Sequence, residues 1–580
     1  MAEAKGHRAT TSVSSIGHIP THGLPSWIQR WSRGRDSLTT CEKRASRWRT
    51  FKVASIVFIL LLMLVILTAV CAMSKKRHSP TVRVDRATFK GTRDNHEVNS
   101  FLSIRYAAPP TGDRRWRAPT APETITGIQD ATKRAPDCSD NEDCLFLNVH
   151  APANATKESK LPVWFYIQGG GYGGLCCNNN NTQVVSTGNV IVVDLNYRTS
   201  AFGFLASEQI RRNGDLNIGL LDQRAALQWT HDHIEDFGGD PNHIVIHGVS
   251  AGAGSVAHHL TAYGGRDDGL FVGAVAQSPF VVPELHVADL EWQFDAFVNA
   301  AGCNGTSDAL SCLRTQDIAV LRAADINFPF PGRQNASGRS WGPAIDGDFL
   351  QDHVLNMFDQ GKFVDVPLMV GDVPNEATMF VPNAASPQDV WTLFNQDDPT
   401  LNQTQLQSIT DQYPKGIPTP EHAIYYGVAS QAYSEAVFIC PGVQMARAMA
   451  AKGKSGVWNY KFNVSDTAAW QHGLGAWHTV DSGAIFGPYL YGAPKSDDAY
   501  STYNSKFVSY MMNYYLSFVK TLSPNTLKYP DAPVFDPFVS NGEEQRLKLQ
   551  SNGTGMEYVP EQTLDNCRFW RGLQLAGSFQ

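Results

Sequence analysis

The sequence predicts an α/β fold, built on a large and mostly parallel central sheet with helices on both faces. Short apolar runs rich in β-branched and aromatic residues, bounded by Gly, Asn or Pro, are typical of buried strands. Longer segments that place apolar residues at helical spacing lie between these runs. Such alternation indicates βαβ units, whose parallel strands are covered by helices on both sides.

The first 52 residues form a basic, polar tail. They contain ten Lys or Arg and three Asp or Glu, so residues 1–52 carry +7, the whole chain −7 and the remainder −14. Residues 1–40 are rich in Ser, Thr, Gly and His and lack apolar periodicity, which predicts a largely disordered segment. The acidic remainder argues against a nucleic-acid partner.

An uncharged apolar run, VASIVFILLLMLVILTAVCAM, occupies 53–73. A helix of about 20 apolar residues matches the thickness of a bilayer, so the run predicts a transmembrane signal-anchor helix. The stronger cluster of Lys and Arg precedes it, which predicts a cytoplasmic tail and a single-pass type II membrane protein. A cleaved signal peptide is the alternative, but the leader and the apolar run are both long for one. A short stalk at 74–80 would then lead to an extracellular or luminal domain at 81–580.

Cysteines and glycosylation sequons agree with this topology. Eight of the ten cysteines follow the apolar run, as expected for pairing in the oxidising compartments of the secretory pathway. The Asn-x-Ser/Thr sequons also follow it and are candidate glycosylation sites. They begin at Asn154, Asn180, Asn304, Asn335, Asn402, Asn463 and Asn552.

Four buried strands and one long helix stand out after the stalk. The helix is LLDQRAALQWTHDHIEDF at 220–237. The strands are PVWFYIQ at 162–168, VIVVDLNY at 190–197, HIVIHG at 243–248 and VPLMVGD at 366–372. In open parallel sheets, ligands bind outside the carboxyl ends of the strands, so the residues that follow each strand are the first candidates for a site.

The third strand leads into Gly248-Val249-Ser250-Ala251-Gly252, which has the Gly-x-Ser-x-Gly form of a nucleophile elbow. The sharp turn from strand to helix leaves no room for Cβ atoms two residues before and after the serine. An ordinary Gly/Ser turn is the alternative. The position of the motif between a strand and a small-residue helix favours the elbow.

A Gly-rich loop, IQGGGYGG at 167–174, follows the first strand. Preorganised backbone N–H groups stabilise the oxyanion of acyl transfer, and we expect those of Gly170, Gly171 and Ala251 to serve here. A flexible loop and a phosphate cradle are the alternatives. No Gly-Lys-Ser/Thr follows the glycines, so a P-loop is disfavoured.

Taken in order, these motifs and several others resemble the type-B carboxylesterase and lipase family of α/β-hydrolases, and most of all its fungal carboxylesterases. The resemblance extends from about Asn99 to Leu573 and implies one large domain with the α/β-hydrolase fold. The matching motifs are FLSIRYAAPPTGDRRWRAP, NEDCLFLNVHAP, NYRTSAFGFL, GLLDQRAALQW, FGGDPNHIVIHGVSAG and NCRFWRGL.

The resemblance implies an acid and a base for Ser250. In GDVPNEATMF, Glu376 matches the family's acid, although Asn375 and Ala377 replace the usual Asp and Gly. In AWHTVDSGAIFG, His478 matches the family's histidine. The chain order Ser250, Glu376, His478 is that of α/β-hydrolases.

His472 and Asp481 lie close to His478 in the sequence and are its local competitors. The register of the motif favours His478 over both. No metal or organic cofactor is expected, and the His and Cys positions show no zinc-like spacing.

The resemblance also implies three disulfides, which are Cys138–Cys144, Cys303–Cys312 and Cys440–Cys567, and a structural ion pair between Arg115 and Glu142. In family lipases the loop that corresponds to the first disulfide is a long lid, and in cholinesterases it carries the choline-binding tryptophan. Here it has five residues between its cysteines, so interfacial lipase activity and choline recognition are both disfavoured.

Two further features bear on the substrate. Val249 precedes the serine where cholinesterases carry Glu, which also argues against choline esters. Cys176 and Cys177 lie just after the Gly-rich loop, and a vicinal disulfide, a pair of thiols and packing beside the acyl pocket all agree with the sequence.

These residues predict a serine carboxylic ester hydrolase that acts on small or medium esters through an acyl-enzyme. One alternative is a silent esterase-like adhesion or binding ectodomain, as in neuroligin-type relatives. This chain keeps all three triad residues, and its apolar run is N-terminal rather than C-terminal. The other alternative is an acyltransferase or thioesterase of secondary metabolism with the same triad. The expected partners are a small-molecule ester and a membrane, and the oligomeric state is left open.

Overall fold

A computed structural model of the chain has two compact units, Met1–His78 and Ser79–Gln580. It describes Trp48 and residues 51–64, 79–174, 179–333, 341–415, 418–488, 490 and 498–578. In the first unit, residues 51–64 form a helix, α1, whose large apolar side chains are 49% to 78% exposed. The basic tail, apart from Trp48 and residues 51–52, and nearly all of the stalk lie outside the described residues.

Within the described ranges, no helix combines the length and the apolar character needed to cross a membrane. The membrane helix expected at 53–73 is described only as far as residue 64, and residues 65–73 lie outside the described part. The transmembrane segment therefore gains no support from the described helices and stays a prediction.

The second unit contains all the strands of the described residues. In chain order they are β1 (Thr81–Val84), β2 (Ala87–Lys90), β3 (Thr92–Arg93), β4 (Val98–Arg105), β5 (Gly127–Asp130), β6 (Phe146–Pro152), β7 (Leu161–Ile167), β8 (Ile191–Leu195), β9 (Gly239–Val249), β10 (Gly273–Gln277), β11 (Leu285–His286), β12 (Ala344–Ile345), β13 (Leu368–Asp372), β14 (Val457–Asn463), β15 (Val539–Ser540), β16 (Glu543–Gln550) and β17 (Gly555–Tyr558).

Helices connect these strands and cover them. They are α2 (Thr182–Gly188), α3 (Ser200–Phe204), α4 (Glu208–Asn213), α5 (Ile218–His233), α6 (Ala251–Gly265), α7 (Glu291–Ala300), α8 (Ala309–Thr315), α9 (Ile318–Ala324), α10 (Val354–Gln360), α11 (Pro387–Asp397), α12 (Gln403–Gln412), α13 (Tyr426–Ser434), α14 (Cys440–Lys452), α15 (Thr467–Gln471), α16 (Ser482–Phe486), α17 (Ser505–Thr521) and α18 (Glu561–Leu575). A π-helical turn, Glu435–Ile439, joins α13 to α14.

The central sheet has 12 strands. Its middle is parallel, in the spatial order β8, β7, β9, β10, β13, β14, β16. Antiparallel strands complete both edges, with β6, β4 and β3 beyond β8, and β15 and β17 beside β16. Two smaller sheets, β1-β2-β5 and β11-β12, lie apart from it.

The pleat of the sheet sends alternate side chains into two different cores. Along β7, Val163, Phe165 and Ile167 join a core with residues of α5, α6, α10 and α14. Trp164 and Tyr166 join the core on the opposite face, with residues of α2, α16 and α17. Every residue of the strand from Val163 onward is therefore buried, which explains the uninterrupted apolar run in the sequence. A third core packs α3, α4, α7 to α9 and α11 to α13 together.

The predicted α/β architecture is confirmed, and so are its predicted elements. The four strands expected from the sequence are β7, β8, β9 and β13, and the expected helix is α5 followed by a 3-10 turn, Ile234–Phe237. Gly238 then adopts φ +95°, which ends the helical path and lets β9 begin at Gly239, four residues earlier than expected.

Candidate active site

Ser250 lies between β9 and α6, at the carboxyl end of the parallel strands. Its φ of 59° and ψ of −127° lie outside the regions that residues with a side chain favour. The flanking glycines are required by space. A Cβ on Gly248 would lie 2.0 Å from the carbonyl oxygen of Gly252, and one on Gly252 would lie 2.1 Å from that of Ile167. The motif thus forms the strained strand-to-helix turn that its sequence predicts.

A short hydrogen bond joins the two other predicted triad residues. His478 Nδ1 lies 2.5 Å from Glu376 Oε2, and Glu376 Oε1 accepts the backbone N–H of Val373 at 2.9 Å. Glu376 is fully buried and His478 is 6% exposed. A carboxylate in this position orients the imidazole and favours the tautomer with its proton on Nδ1, which leaves Nε2 as a base.

His478 lines the same cavity as Ser250, and its other ring nitrogen is Nε2. It is buried, and among the described residues it has no hydrogen-bond partner, Ser250 Oγ included. Hydrogen bonds between nucleophile and base are often long in resting enzymes and shorten once a substrate binds. Ser250, His478 and Glu376 are therefore brought to one place from three distant parts of the chain.

The two residues that depart from the family pattern contribute contacts of their own. Asn375 forms an isolated parallel bridge with Trp477, and its side-chain oxygen accepts the N–H of Ala476 at 3.0 Å. The N–H of Ala377 donates to Ser434 Oγ at 2.9 Å. The segment that carries Glu376 is thus tied directly to the segment that carries His478.

The Gly-rich loop passes against the serine. A Cβ on Gly169 would lie 2.7 Å from Ser250 Cβ, and Gly170 and Gly171 have φ of +112° and +61°. In the described part of the chain, the backbone N–H groups of Gly170, Gly171 and Ala251 have no intramolecular acceptor. All three are therefore available to an oxygen atom bound next to Ser250.

The local competitors of His478 do not line the cavity. His472 is exposed and pairs with Glu421 at 2.7 Å. Asp481 is buried beneath the site, where it accepts hydrogen bonds from Tyr460 Oη at 2.8 Å and Gln277 Nε2 at 2.6 Å. Burial raises the pKa of Asp481 to about 6.

The cavity itself is large and has an aromatic wall. Its volume is about 1180 Å³. Beyond Ser250, His478 and the glycines, its described lining includes Phe280, Trp341, Phe380, Tyr433 and Phe438, with Asp325 and Asp397 as carboxylates. Sequence reasoning missed these seven residues, because they come from separate segments that share no motif or spacing.

Three disulfides join the pairs that the resemblance implies, with S–S distances of 2.08 Å for Cys138–Cys144, 2.03 Å for Cys303–Cys312 and 2.00 Å for Cys440–Cys567. The ion pair between Arg115 and Glu142 is present as well, with Nη2 and Oε2 2.9 Å apart. Cys176 and Cys177 lie outside the described residues. No group of three or more His, Cys, Asp or Glu side chains in the described ranges is arranged to hold a metal ion.

The glycosylation candidates differ in exposure. Asn463 is the last residue of β14 and is half-buried, and Asn335 lies outside the described residues. The others are exposed, as an acceptor for a glycan must be; these are Asn154, Asn180, Asn304, Asn402 and Asn552.

Nearly all of the second unit is similar to known proteins. The model of a family described as the carboxylesterase family matches residues 78–570. The structure of Aspergillus niger EstA is 45% identical with a TM-score of 0.83 and covers 86% of this chain and 98% of that one. A PNB esterase is 25% identical with a TM-score of 0.70, covering 84% and 99%. Secreted lipase 1 of Botryotinia fuckeliana is 29% identical over 487 residues, which are 74% of this chain and 82% of that protein.

Proposed function

The chain belongs to the carboxylesterase family and is a carboxylic ester hydrolase, and from that premise we propose that it acts through an acyl-enzyme formed on Ser250. The observation that supports this most directly is the 2.5 Å contact between His478 and Glu376 beside a cavity that His478 shares with Ser250. A general base needs an imidazole nitrogen that is free to accept a proton, and His478 Nε2 has no partner among the described residues while His478 shares its cavity with the elbow serine.

The proposed reaction begins when a substrate ester brings its carbonyl carbon to Ser250 Oγ. His478 Nε2 takes the hydroxyl proton while Oγ attacks, and the N–H groups of Gly170, Gly171 and Ala251 donate to the oxyanion. His478 then returns the proton to the leaving alcohol, and the acyl group stays on Ser250. Water repeats the sequence and releases the acid, while Glu376 stabilises the charged imidazole.

We propose small or medium esters as the substrates. The cavity of about 1180 Å³ exceeds the needs of an acetate ester, and its described lining includes the exposed apolar side chains of Ile326, Met379 and Phe380. The five-residue loop between Cys138 and Cys144 is too short to cover this opening as a lid. Esters dissolved in water should therefore enter without a lipid interface, although relatives bear the name lipase.

We also propose that the enzyme is held by a membrane anchor at 53–73, with its catalytic domain outside the cytoplasm. The described part of that segment is helical, and its apolar side chains are exposed along the whole of α1. A continuous apolar surface of this kind is unusual in water, and a lipid bilayer would bury it. The three disulfides and the relatives described as secreted support the secretory pathway.

The experiment that tests the proposed function is hydrolysis of p-nitrophenyl acetate and butyrate by the full chain and by Ser250→Ala. Loss of a triad nucleophile lowers kcat by roughly 10⁴- to 10⁶-fold, so kcat/KM should fall by several orders of magnitude. The matched control is Ser186→Ala, which removes an exposed hydroxyl from α2 and should keep wild-type activity. A folded wild type that neither turns over these esters nor reacts with a fluorophosphonate would favour the adhesion or binding alternative instead.

A further inference from the structure

The charge of the cavity lining has one sign only. The ionisable side chains among its described residues are His478, Tyr433 and the two carboxylates Asp325 and Asp397, and no Lys or Arg is among them. An ester that enters therefore meets carboxylates in the described lining but no Lys or Arg. Inside a partly desolvated cavity, such charges act on a ligand more strongly than they would in bulk water.

Of the two carboxylates, Asp325 is the better candidate for binding a cationic group. It lies just after α9 and is half-buried, and its Oδ1 accepts the backbone N–H of Ala201 at 3.2 Å. Its other contacts are with the side chains of Ser200 and Trp341, and no cation of the described residues neutralises it. Burial raises the pKa of Asp325 to about 6, so the carboxyl is mostly ionised at neutral pH without a partner of opposite charge.

Asp397 is the second carboxylate of the described lining. It is the last residue of α11, where the negative end of the helix dipole does not favour a carboxylate. Its Oδ2 accepts a hydrogen bond from Tyr433 Oη at 2.6 Å, and this fixes the carboxylate against the cavity wall.

A separate observation, which does not involve the carboxylates, also indicates that the cavity binds a ligand. The Nε2 atom of His478 is buried there without a partner among the described residues, and Ser250 shares the lining. The carboxylates therefore surround a space that the proposed reaction needs to fill. A positive group on the ester would relieve the cost of the half-buried Asp325 carboxylate while it binds.

We propose that the enzyme prefers esters that carry a cationic group, such as a quaternary ammonium or a protonated amine, and that Asp325 binds this group. This differs from the expectation against choline esters, which was based on cholinesterase residues that this chain lacks, whereas Asp325 is a separate carboxylate of the cavity lining. The proposal rests on the proposed function, because it names the substrate class of the same site. Esters that carry a carboxylate are the poorest substrates, since the described lining offers them repulsion and no ion pair. Asp325 sets the charge preference and takes no part in the chemistry of Ser250.

The test uses matched esters and the full chain. On the acyl side, p-nitrophenyl 4-(trimethylammonio)butanoate is compared with its neutral isostere p-nitrophenyl 5,5-dimethylhexanoate and with the anionic mono-p-nitrophenyl glutarate. On the alcohol side, butyrylcholine is compared with 3,3-dimethylbutyl butyrate. Each kcat/KM is divided by the hydroxide-catalysed rate constant of the same ester, which removes differences in intrinsic reactivity. The two sides are both tested because the cation can belong to either part of the ester.

We expect the cationic ester to exceed its neutral isostere by about tenfold in at least one pair, as a single charge interaction in a partly buried site would give. Asp325→Asn should abolish most of this ratio and change kcat/KM for the neutral ester less than threefold, because Asn keeps an acceptor for the Ala201 N–H. The control is Asp289→Asn, which removes an exposed carboxylate that does not line the cavity. It should keep the wild-type ratio.

The outcomes separate the two proposals. Turnover of the neutral esters with equal ratios for wild type and Asp325→Asn in both pairs would overturn the cation site and leave the esterase intact. Absence of turnover by wild type would overturn the proposed function, and the cation site with it. Should Asp325→Asn fail to fold, the wild-type ratios decide: a cationic ester that exceeds its neutral isostere in neither pair, or an anionic ester that exceeds its neutral counterpart, refutes the proposal.

Discussion

At the scale of single residues, the position of the proposed nucleophile, Ser250, depends on a strained backbone conformation. The Ser250 N–H donates to the carbonyl of Gln277 at 2.9 Å. The Ser250 carbonyl accepts the N–H groups of Ala253 and Gly254 at 2.9 Å and of Phe280 at 3.1 Å. Strain of this kind costs about 1–3 kcal/mol and persists only where the surroundings enforce it. These four hydrogen bonds provide that enforcement.

Glu284 gives a prediction about pH. It is buried, with Oε2 accepting the Val354 N–H at 2.8 Å and Oε1 lying 3.5 Å from His258 Nε2. Burial raises the pKa of Glu284 to about 8 and lowers that of His258 to about 3. The folded protein therefore holds the Glu284 proton up to about pH 8, whereas the unfolded chain releases it near its usual pKa of 4.5. Stability should fall as the pH rises between these two values.

Glu284→Gln should remove this contribution, so that the change in Tm from pH 5 to pH 9 is less negative, or more positive, than in wild type. The measurement is thermal unfolding followed by circular dichroism across that range. Glu123→Gln removes an exposed glutamate and should keep the wild-type slope. Identical slopes for wild type and Glu284→Gln would contradict the prediction.

The sequence was sufficient to propose Ser250, His478 and Glu376 as candidates, because each lies in a motif that indicates its chemistry or its register. It also named the glycines of the loop, since their backbone conformations exclude side chains. It could not name Asp325 or Trp341. Their roles depend on which segments of the chain pack together around the cavity, and no local sequence pattern predicts that packing.

At the scale of elements, the disulfide between Cys440 and Cys567 joins the start of α14 to α18, across a sequence separation of 127 residues. Cys303–Cys312 closes a separation of only 9. In the chain-entropy account of disulfide stabilisation, the benefit grows with the length of the closed loop. These two disulfides offer a direct comparison.

Replacing Cys440 and Cys567 together by Ser should lower the free energy of unfolding by about 5 kcal/mol, against about 2.5 kcal/mol for the Cys303 and Cys312 double variant. Both double variants leave no unpaired partner cysteine. Urea denaturation followed by tryptophan fluorescence measures the difference. Equal losses, or a larger loss for the shorter loop, would show that the effect does not come from the unfolded chain.

Whether a strand or helix could be predicted from the sequence depends on what surrounds it in the fold. β7, β8, β9 and β13 are covered on both faces, so their sequences are continuous apolar runs and were found. The π-helical turn at Glu435–Ile439 was not found, because its stability depends on remote partners. Glu435 accepts hydrogen bonds from Tyr413 Oη at 2.7 Å and Asn566 Nδ2 at 2.6 Å, and neither partner is near it in sequence.

At the scale of the whole molecule, one compact unit spans Ser79–Gln580, and the catalytic domain that the sequence predicts at 81–580 stays a prediction. The alternation of strands and helices gave the class of fold, and the order of motifs gave the family. The spatial order of strands could not be read in this way. It depends on pairing between segments such as β14 and β16, which lie far apart in the chain.

The proposed anchor gives a prediction for the full chain. It should sediment with membranes, resist extraction by alkaline carbonate and dissolve in detergent. Leu60→Arg with Leu62→Arg places two charges in the apolar run, each unfavourable by about 2.5–3.5 kcal/mol at the centre of a membrane helix, and should shift the protein to the soluble fraction. Leu60→Ile with Leu62→Ile should leave it in the membrane. A wild type that is soluble and begins after residue 73 would instead support a cleaved signal peptide.

The spacing of the proposed triad along the chain has a consequence for synthesis. Ser250 follows β9, Glu376 follows β13 and His478 follows β14, so more than a hundred residues separate each from the next. A ribosome must therefore extend the chain far beyond the serine before its base exists. The emerging polypeptide carries an inert hydroxyl throughout its passage, and the first turnover marks a chain that has finished folding.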